Sequence, residues 1–144
     1  MFKVLLVEDE VTCSSSVHLL LKDFCQLHST SSSGIALNLA AANKYDLIII
    51  DIDLHSKTEG VNTASAIRRL TNYTSIPIVA FSINECAEKR QYILSNGYSH
   101  FISEPFNIRN FAQQIKFILS SQVNYNNSSP LLAPVHAFIP KVIY

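Results

Sequence analysis

The sequence lacks an excess of charge of either sign. Eleven basic and eleven acidic side chains cancel, so we expect no basic surface of the kind that binds nucleic acids. Charged residues are also scarce, at 15% of the 144 residues, whereas hydrophobic residues make up 48%. This balance argues against disorder and is typical of a single domain with a buried core.

Long hydrophobic runs and a secretion signal are absent as well. The longest apolar stretches, such as residues 47–50, are far shorter than the roughly 20 residues that span a bilayer. Residues 1–4 lead directly into an apolar run and an acidic cluster, without the cleavage site of a signal peptide. We therefore expect a cytoplasmic protein that makes no membrane contact.

Cysteine and histidine show no metal-binding spacing. The cysteines are odd in number, and no two of them have the Cys-x-x-Cys spacing; they are Cys13, Cys25 and Cys86. This argues against a zinc site or a disulfide framework. We interpret them as reduced thiols, with Cys13 packed as a small hydrophobic residue. Four scattered histidines are interpreted as surface or hydrogen-bonded residues, namely His18, His28, His100 and His136.

Two hydrophobic periods alternate along the chain. Apolar runs rich in β-branched residues predict three buried strands, and two weaker runs predict two more. These strands cover residues 4–7, 26–30, 47–50, 76–81 and 100–103. Helical patterns cover residues 13–24, 35–42, 61–70, 87–94 and 108–119. The alternation predicts an α/β protein with a doubly wound, five-stranded parallel sheet and helices on both faces.

The composition changes after residue 121. Residues 124–129 are polar and rich in asparagine, which is typical of a linker, and an apolar segment interrupted by three prolines follows. The prolines exclude a continuous helix. We therefore predict a domain over residues 1–121, followed by a linker and an apolar C-terminal segment over residues 122–144. We expect that segment to pack on its own domain or on a second copy in a homodimer. The alternative is a frayed or truncated end whose partner is missing.

Acidic side chains follow the first and third predicted strands. Glu8 and Asp9 follow the first strand, and Asp51 and Asp53 follow the third. In a doubly wound sheet, ligands bind beyond the carboxyl ends of the strands, where these carboxylates would converge. Converging carboxylates repel one another unless a cation joins them, and oxygen ligands of this kind suit Mg²⁺. With Mg²⁺ bound, an aspartate can attack a phosphoryl group and form an acyl phosphate.

Four segments together resemble the response-regulator receiver domain of bacteria. They are residues 4–10 (VLLVEDE), 46–54 (DLIIIDIDL), 76–82 (IPIVAFS) and 104–106 (EPF). Their order and spacing are similar to those of the family, and the resemblance covers about residues 2–121. It implies the flavodoxin-like strand order 2-1-3-4-5.

The resemblance also implies roles for individual residues. Asp51 would be the phospho-acceptor and a metal ligand, with Glu8 and Asp9 as the acidic pair and Asp9 as a direct Mg²⁺ ligand. The backbone carbonyl of Asp53 would supply a further ligand. Two switch positions are implied on later strands, a hydroxyl at Ser82 and an aromatic ring at Phe101.

Glu104 departs from the family pattern. Receiver domains nearly always place a lysine before this proline, where its ammonium group bonds the phosphoryl group. An ionised carboxylate has no hydrogen to donate and repels phosphate, at a cost of about 1–4 kcal/mol near a protein surface. Glu104 therefore turns to solvent, joins the metal site, or marks a domain whose phosphorylation is weakened or lost. Lys57 could supply a replacement charge, and His55 is interpreted as a solvated loop residue.

Three functional hypotheses follow. In the first, a histidine kinase or phosphotransfer protein phosphorylates Asp51 in a two-component or phosphorelay pathway. This non-enzymatic domain then changes its affinity for an unknown downstream protein. Since about two dozen residues follow the last predicted helix, we expect it to act through another chain. In the second, supported by Glu104, a degenerate receiver binds partners without phosphorylation. The third, an Asp-x-Asp phosphatase, ranks lower, because Asp51 and Asp53 follow the third strand and no cap segment is present.

Overall fold

Strands and helices alternate along the described parts of the chain. The computed structural model describes residues 1–56, 58–82, 87–103, 108–126 and 141–143. The strands are β1 (Phe2–Val7), β2 (Cys25–Thr30), β3 (Leu47–Asp51), β4 (Ile78–Ser82), β5 (His100–Ser103) and β6 (Lys141–Ile143). The helices are α1 (Val11–Leu21), α2 (Ser33–Ala42), α3 (Glu59–Arg68), α4 (Ala87–Leu94) and α5 (Ile108–Asn126).

All neighbouring strands of the sheet run parallel. Their order is β2-β1-β3-β4-β5-β6, so the predicted order 2-1-3-4-5 is confirmed. The predicted sheet of five strands lacked β6, which extends it beyond β5. A three-residue strand directly after Pro140 is shorter than the five or six residues typical of a strand, and the apolar pattern therefore did not reveal it.

Both faces of the sheet are buried, as predicted. Successive side chains of a strand point to opposite faces, so Leu5 and Val7 of β1 lie in one core and Val4 and Leu6 lie in the other. Helices α2, α3 and α4 cover the first core, and α1 and α5 cover the second. Cys13 packs against the second core, as expected of a small hydrophobic residue.

Helix α5 is longer than its sequence pattern indicated. It continues to Asn126, past the domain boundary predicted at residue 121, and so includes the first residues of the predicted linker. Part of the predicted apolar segment, residues 141–143, packs against its own domain as β6. The division of the chain into a domain over residues 1–121 and a C-terminal segment over residues 122–144 otherwise stays a prediction.

Gly60 allows α3 to start against the end of β3. A Cβ atom at this position would lie 2.2 Å from the backbone oxygen of Asp51 and 2.8 Å from that of Ile52. Real Cβ atoms do not approach oxygens this closely, so any larger residue would push the helix away. The glycine thus sets how closely α3 approaches the end of β3, where Asp51 lies.

Candidate functional site

Three carboxylates meet at the carboxyl edge of the sheet. β1 and β3 are neighbours, with Val7 paired to Ile50, so the residues that follow β1 lie beside the end of β3. Glu8, Asp9 and Asp51 each offer a carboxylate oxygen, and these oxygens all lie within 4.8 Å of one another. Three of the four carboxylates predicted to converge are therefore brought together, and the Asp53 side chain is not part of this group.

Glu8 is the most buried member of this acidic cluster. Its side chain is 7% exposed, and its Oε1 accepts the backbone N–H of Glu10 at 3.1 Å. Burial, together with the negative charge of Asp51 and side-chain hydrogen bonds to Asp51 and Asp9, raises the pKa of Glu8 to about 8. Glu8 therefore holds a proton at neutral pH more readily than an exposed glutamate does, and it is hydrogen-bonded to both Asp51 and Asp9.

Asp51 is the last residue of β3 and is half-buried. Burial raises its pKa, and the charges of Asp9 and Asp53 act in the same direction. The hydrogen bond that the backbone N–H of Asp53 donates to Asp51 Oδ1 at 3.0 Å opposes this rise only in part. Burial is thus the main cause of the raised pKa of both Glu8 and Asp51, and the neighbouring negative charges add to it.

Asp9 is held by the loop that follows β3. The backbone N–H of His55 donates to Asp9 Oδ2 at 3.2 Å, and the ring Nδ1 lies 3.4 Å from the same oxygen. Although burial works to raise the pKa of Asp9, hydrogen bonds from His55 and Glu8 outweigh it, and the pKa lies below its usual value. Asp9 is therefore the carboxylate of the cluster that stays ionised most readily.

His55 makes more contacts than the sequence indicated. The ring is exposed, as predicted, but its Nε2 lies 2.6 Å from the carbonyl oxygen of Ser31 in the loop after β2. This hydrogen bond, followed by the charges of Glu59, Asp9 and Asp51, raises the pKa of His55. The ring links the loops after β2 and β3 to the acidic cluster. Asp9 and His55 are 46 residues apart in sequence, which is why no local pattern revealed their contact.

A cavity rich in hydroxyl groups adjoins the acidic cluster. It has a volume of about 290 Å³ and lies beside Glu8 and Asp9. The other side chains that line it are Val11, Ser14, Ser15, Ser29, Thr30 and Ser31. Sequence reasoning did not predict this cavity, because its walls come from both β1–α1 and β2–α2.

The predicted switch positions lie partly outside the described residues. Phe101 is fully buried on β5, in the core that α2, α3 and α4 cover. Ser82 ends β4 and pairs with Ser103 through the backbone, but its side chain is outside the described part of the structure. Glu104 and Lys57 also lie outside it, so their predicted roles stay predictions.

The remaining predictions for histidine and cysteine agree with the structure where it is described. Among the histidines, Nε2 of His18 lies 3.0 Å from Ser29 Oγ, Nδ1 of His28 lies 2.7 Å from Tyr45 Oη, and Nδ1 of His100 lies 2.9 Å from Ser99 Oγ. Burial raises the pKa of the Cys25 thiol to about 11, so it stays protonated. His136 and Cys86 lie outside the described residues.

In the described ranges, no helix is long and apolar enough to cross a membrane.

Known proteins with related sequences carry the same domain. The family model of the response regulator receiver domain matches residues 4–116. The chain is 26% identical over 129 residues to the transcriptional regulatory protein CiaR of Streptococcus pneumoniae, covering 90% of this chain and 56% of that protein. It is 29% identical over 120 residues to histidine kinase P4 of Formosa agariphila, covering 83% of this chain and 9% of the kinase. The chain thus spans about half of the first relative and a small part of the second.

Solved structures share the fold. The chemotaxis protein CheY4 of Vibrio cholerae superposes with a TM-score of 0.76 at 24% identity, over 82% of this chain and 98% of that chain. The receiver domain of a sensor histidine kinase from Pseudomonas aeruginosa gives a TM-score of 0.74 at 22% identity, over 83% of this chain and 98% of that chain. That structure holds a magnesium ion in its active-site cleft.

Proposed function

The chain belongs to the response regulator receiver domain family, and from this premise we propose that Asp51 accepts a phosphoryl group in a two-component or phosphorelay pathway. Receiver domains are typically signalling modules rather than enzymes. The observation that carries the proposal is the meeting of Glu8, Asp9 and Asp51, whose oxygens lie within 4.8 Å of one another. The Asp-x-Asp phosphatase hypothesis still ranks lower, because Asp51 and Asp53 come at and after the end of the third strand.

The donor set fits Mg²⁺. Glu8, Asp9 and Asp51 supply hard oxygen ligands at an open edge of the sheet, which leaves room for the waters that Mg²⁺ retains. Burial raises the pKa values of Glu8 and Asp51, with a smaller contribution from neighbouring carboxylates, and a bound cation would favour the ionised form of both groups. We include the backbone carbonyl of Asp53 as a further ligand. When bound, Mg²⁺ would neutralise charge on the phosphoryl oxygens.

Asp51 is the nucleophile of the proposed transfer. One carboxylate oxygen attacks the phosphorus atom of a phosphohistidine on a histidine kinase or phosphotransfer protein. A P–O bond to Asp51 forms as the P–N bond to the donor imidazole breaks, and the imidazole leaves with a proton from solvent. The end of β3 that carries Asp51 is held against β4, because the Ile52 N–H donates to the Phe81 carbonyl at 3.1 Å.

The phosphoryl group would act on partner binding through the neighbouring strands. We propose that the Ser82 hydroxyl bonds a phosphoryl oxygen and that Phe101 repacks in response. A downstream protein, or a second copy of the chain, would bind the domain with different affinities before and after Phe101 repacks. Only such a difference in affinity shifts the equilibrium between the two conformations.

A degenerate receiver is the second candidate, and Glu104 favours it. A carboxylate at this position cannot donate a hydrogen bond to the phosphoryl group in its ionised form. In this case the domain would bind its partner whether or not Asp51 is modified.

Labelling with acetyl phosphate distinguishes the two candidates. Wild-type protein is incubated with the donor and Mg²⁺, and phosphate that is labile to hydroxylamine is located by mass spectrometry. The proposal expects Mg²⁺-dependent labelling that is lost in Asp51→Asn and kept in Asp46→Asn, a matched change just before the opposite end of β3. No labelling of the wild type, together with labelling of Glu104→Lys, would establish the degenerate receiver instead.

A further inference from the structure

A closed cycle of hydrogen bonds joins three loops at the carboxyl edge of the sheet. The backbone N–H of Glu8 donates to the Thr30 carbonyl at 3.0 Å, which holds the end of β1 to the end of β2. The residues that follow these two, Asp9 and Ser31, both contact His55 from the loop after β3. His55 therefore lies where the loops after β1, β2 and β3 meet.

The imidazole ring of His55 is anchored at Ser31. Its Nε2 lies 2.6 Å from the Ser31 carbonyl oxygen, and because a carbonyl only accepts, Nε2 carries the hydrogen of this bond. A second hydrogen bond joins the first residues of α2 and α3, from Ser33 Oγ to Glu59 Oε1 at 2.6 Å. The loops after β2 and β3 are therefore tied together at two places.

The backbone of His55 is turned toward Asp9. Its φ of 55° lies in the left-handed region, which is costly for a residue with a Cβ atom. In this conformation the His55 N–H donates to Asp9 Oδ2 at 3.2 Å, and the ring Nδ1 lies 3.4 Å from the same oxygen. Both contacts fall on one oxygen of Asp9, so they restrict the orientation of its side chain.

We propose that His55 is a positioning residue, which orients Asp9 for binding of a divalent cation through its hydrogen bond to Ser31. This inference rests on the proposed function, in which Asp9 is a Mg²⁺ ligand. Asp9 is exposed, and an exposed side chain loses rotational freedom when it binds a metal. A carboxylate that a neighbour already holds has lost this freedom beforehand. Groups that hold a metal ligand in this way change the affinity for the metal by about 10- to 100-fold.

Two substitutions separate the contact with Ser31 from the contact with Asp9. In His55→Gln, the amide nitrogen lies as far along the side chain as Nε2, so it can donate to the Ser31 carbonyl. In His55→Asn, the amide nitrogen takes the place of Nδ1 beside Asp9, but the side chain is too short to reach Ser31. Asparagine tolerates a left-handed backbone better than glutamine does, so backbone strain would not explain a weaker site in His55→Asn.

Binding of Mn²⁺ measures the site without phosphorylation, because bound Mn²⁺ loses the electron paramagnetic resonance signal of the free ion. Displacement by Mg²⁺ then gives the affinity for the proposed ion. We expect His55→Asn to bind both ions about tenfold more weakly than the wild type, and His55→Gln to restore most of the affinity. His18→Asn is the matched control and should leave the affinity unchanged. His18 also contacts a serine, Ser29 Oγ at 3.0 Å, but it lies in the last turn of α1.

The outcomes separate this inference from the proposed function. Equal affinities in the wild type, His55→Asn and His55→Gln would overturn the inference and leave the acidic cluster as the cation site. A site in His55→Gln that is as weak as that in His55→Asn, or weaker, would also overturn it, because the bond to Ser31 would then not decide the affinity. Failure of the wild type to bind Mn²⁺ and Mg²⁺ would instead overturn the proposed function, and the inference with it.

Discussion

His55 contacts one oxygen of Asp9 twice, through its backbone N–H at 3.2 Å and through its ring Nδ1 at 3.4 Å. The contact is made in an unusual backbone conformation, since His55 has a φ of 55°. Left-handed conformations are costly for residues that carry a Cβ atom. The contacts with Asp9 and Ser31 offset this cost and join three loops around the acidic cluster.

Replacing His55 separates the backbone cost from the ring contacts. Both His55→Ala and His55→Gly lose the ring, but only glycine adopts a positive φ without strain. We therefore expect the free energy of unfolding of His55→Gly to exceed that of His55→Ala by about 1 kcal/mol. Urea denaturation of the two variants measures this difference. Equal stabilities would contradict the left-handed conformation.

Glu8 should make stability depend on pH in the absence of divalent cations. Its pKa rises from 4.5 to about 8 on folding, so between these values the folded state holds a proton that the unfolded state has released. Stability must therefore fall as the pH rises through this window, and the loss is complete above the folded pKa. Thermal unfolding of the wild type and Glu8→Gln between pH 5 and pH 8.5 measures the difference.

The matched control for Glu8 is Glu10→Gln. Glu10 is exposed, so this change should leave the pH dependence of the wild type unaltered. Glu8→Gln removes the buried ionisable group, and its melting temperature should exceed that of the wild type most clearly at the alkaline end. A wild-type stability that rises from pH 5 to pH 8 relative to Glu8→Gln would contradict the raised pKa.

Gly60→Ala should destabilise the protein strongly. The added Cβ would lie 2.2 Å from the Asp51 carbonyl oxygen, so either α3 or the end of β3 must move, at a cost of about 3 kcal/mol or more. Gly34→Ala is the matched control in α2, because its Cβ would meet only Ser32 Oγ at 3.8 Å. This control should be neutral or stabilising by up to about 1 kcal/mol. Chemical denaturation compares the two, and similar losses in both would contradict the close approach of α3.

Tyr98→Phe should stabilise the protein. The Tyr98 side chain is 2% exposed, and among the described residues its hydroxyl has no hydrogen-bond partner. Removing an unsatisfied buried hydroxyl should raise the free energy of unfolding by about 1 kcal/mol. Thermal and chemical unfolding provide the measurement.

Tyr73→Phe is the matched control for Tyr98. Tyr73 is equally buried, but its hydroxyl lies within hydrogen-bond distance of the carbonyl oxygens of Ala40 at 2.8 Å and Asn43 at 2.6 Å, to which it donates its one hydrogen. Loss of these bonds should lower stability by about 1–2 kcal/mol. A loss of similar size in Tyr98→Phe would indicate that its hydroxyl has a partner.

Local patterns in the sequence were sufficient for the layered architecture. The β-branched runs that became β1, β3 and β4 are buried on both faces of the sheet. Strands of this kind are apolar at consecutive positions, so the sequence alone is enough to predict them. The acidic cluster also followed, because Asp9 and Asp51 each come at or just after the end of a strand. In a parallel sheet those ends meet at one edge.

Other features depended on residues brought together from distant parts of the chain. The Asp9–His55 contact and the hydroxyl-lined cavity combine loops after different strands, and the raised pKa of Glu8 depends on its burial beside Asp51. β6 is three residues long, and its pairing with the edge of β5 is a contact between distant parts of the chain. The sequence by itself determined which residues form strands and helices and which carboxylates end them, because these properties depend on neighbours along the chain. The tertiary structure alone decided the contacts, the protonation and the edge pairing, because each depends on distances that arise only after folding.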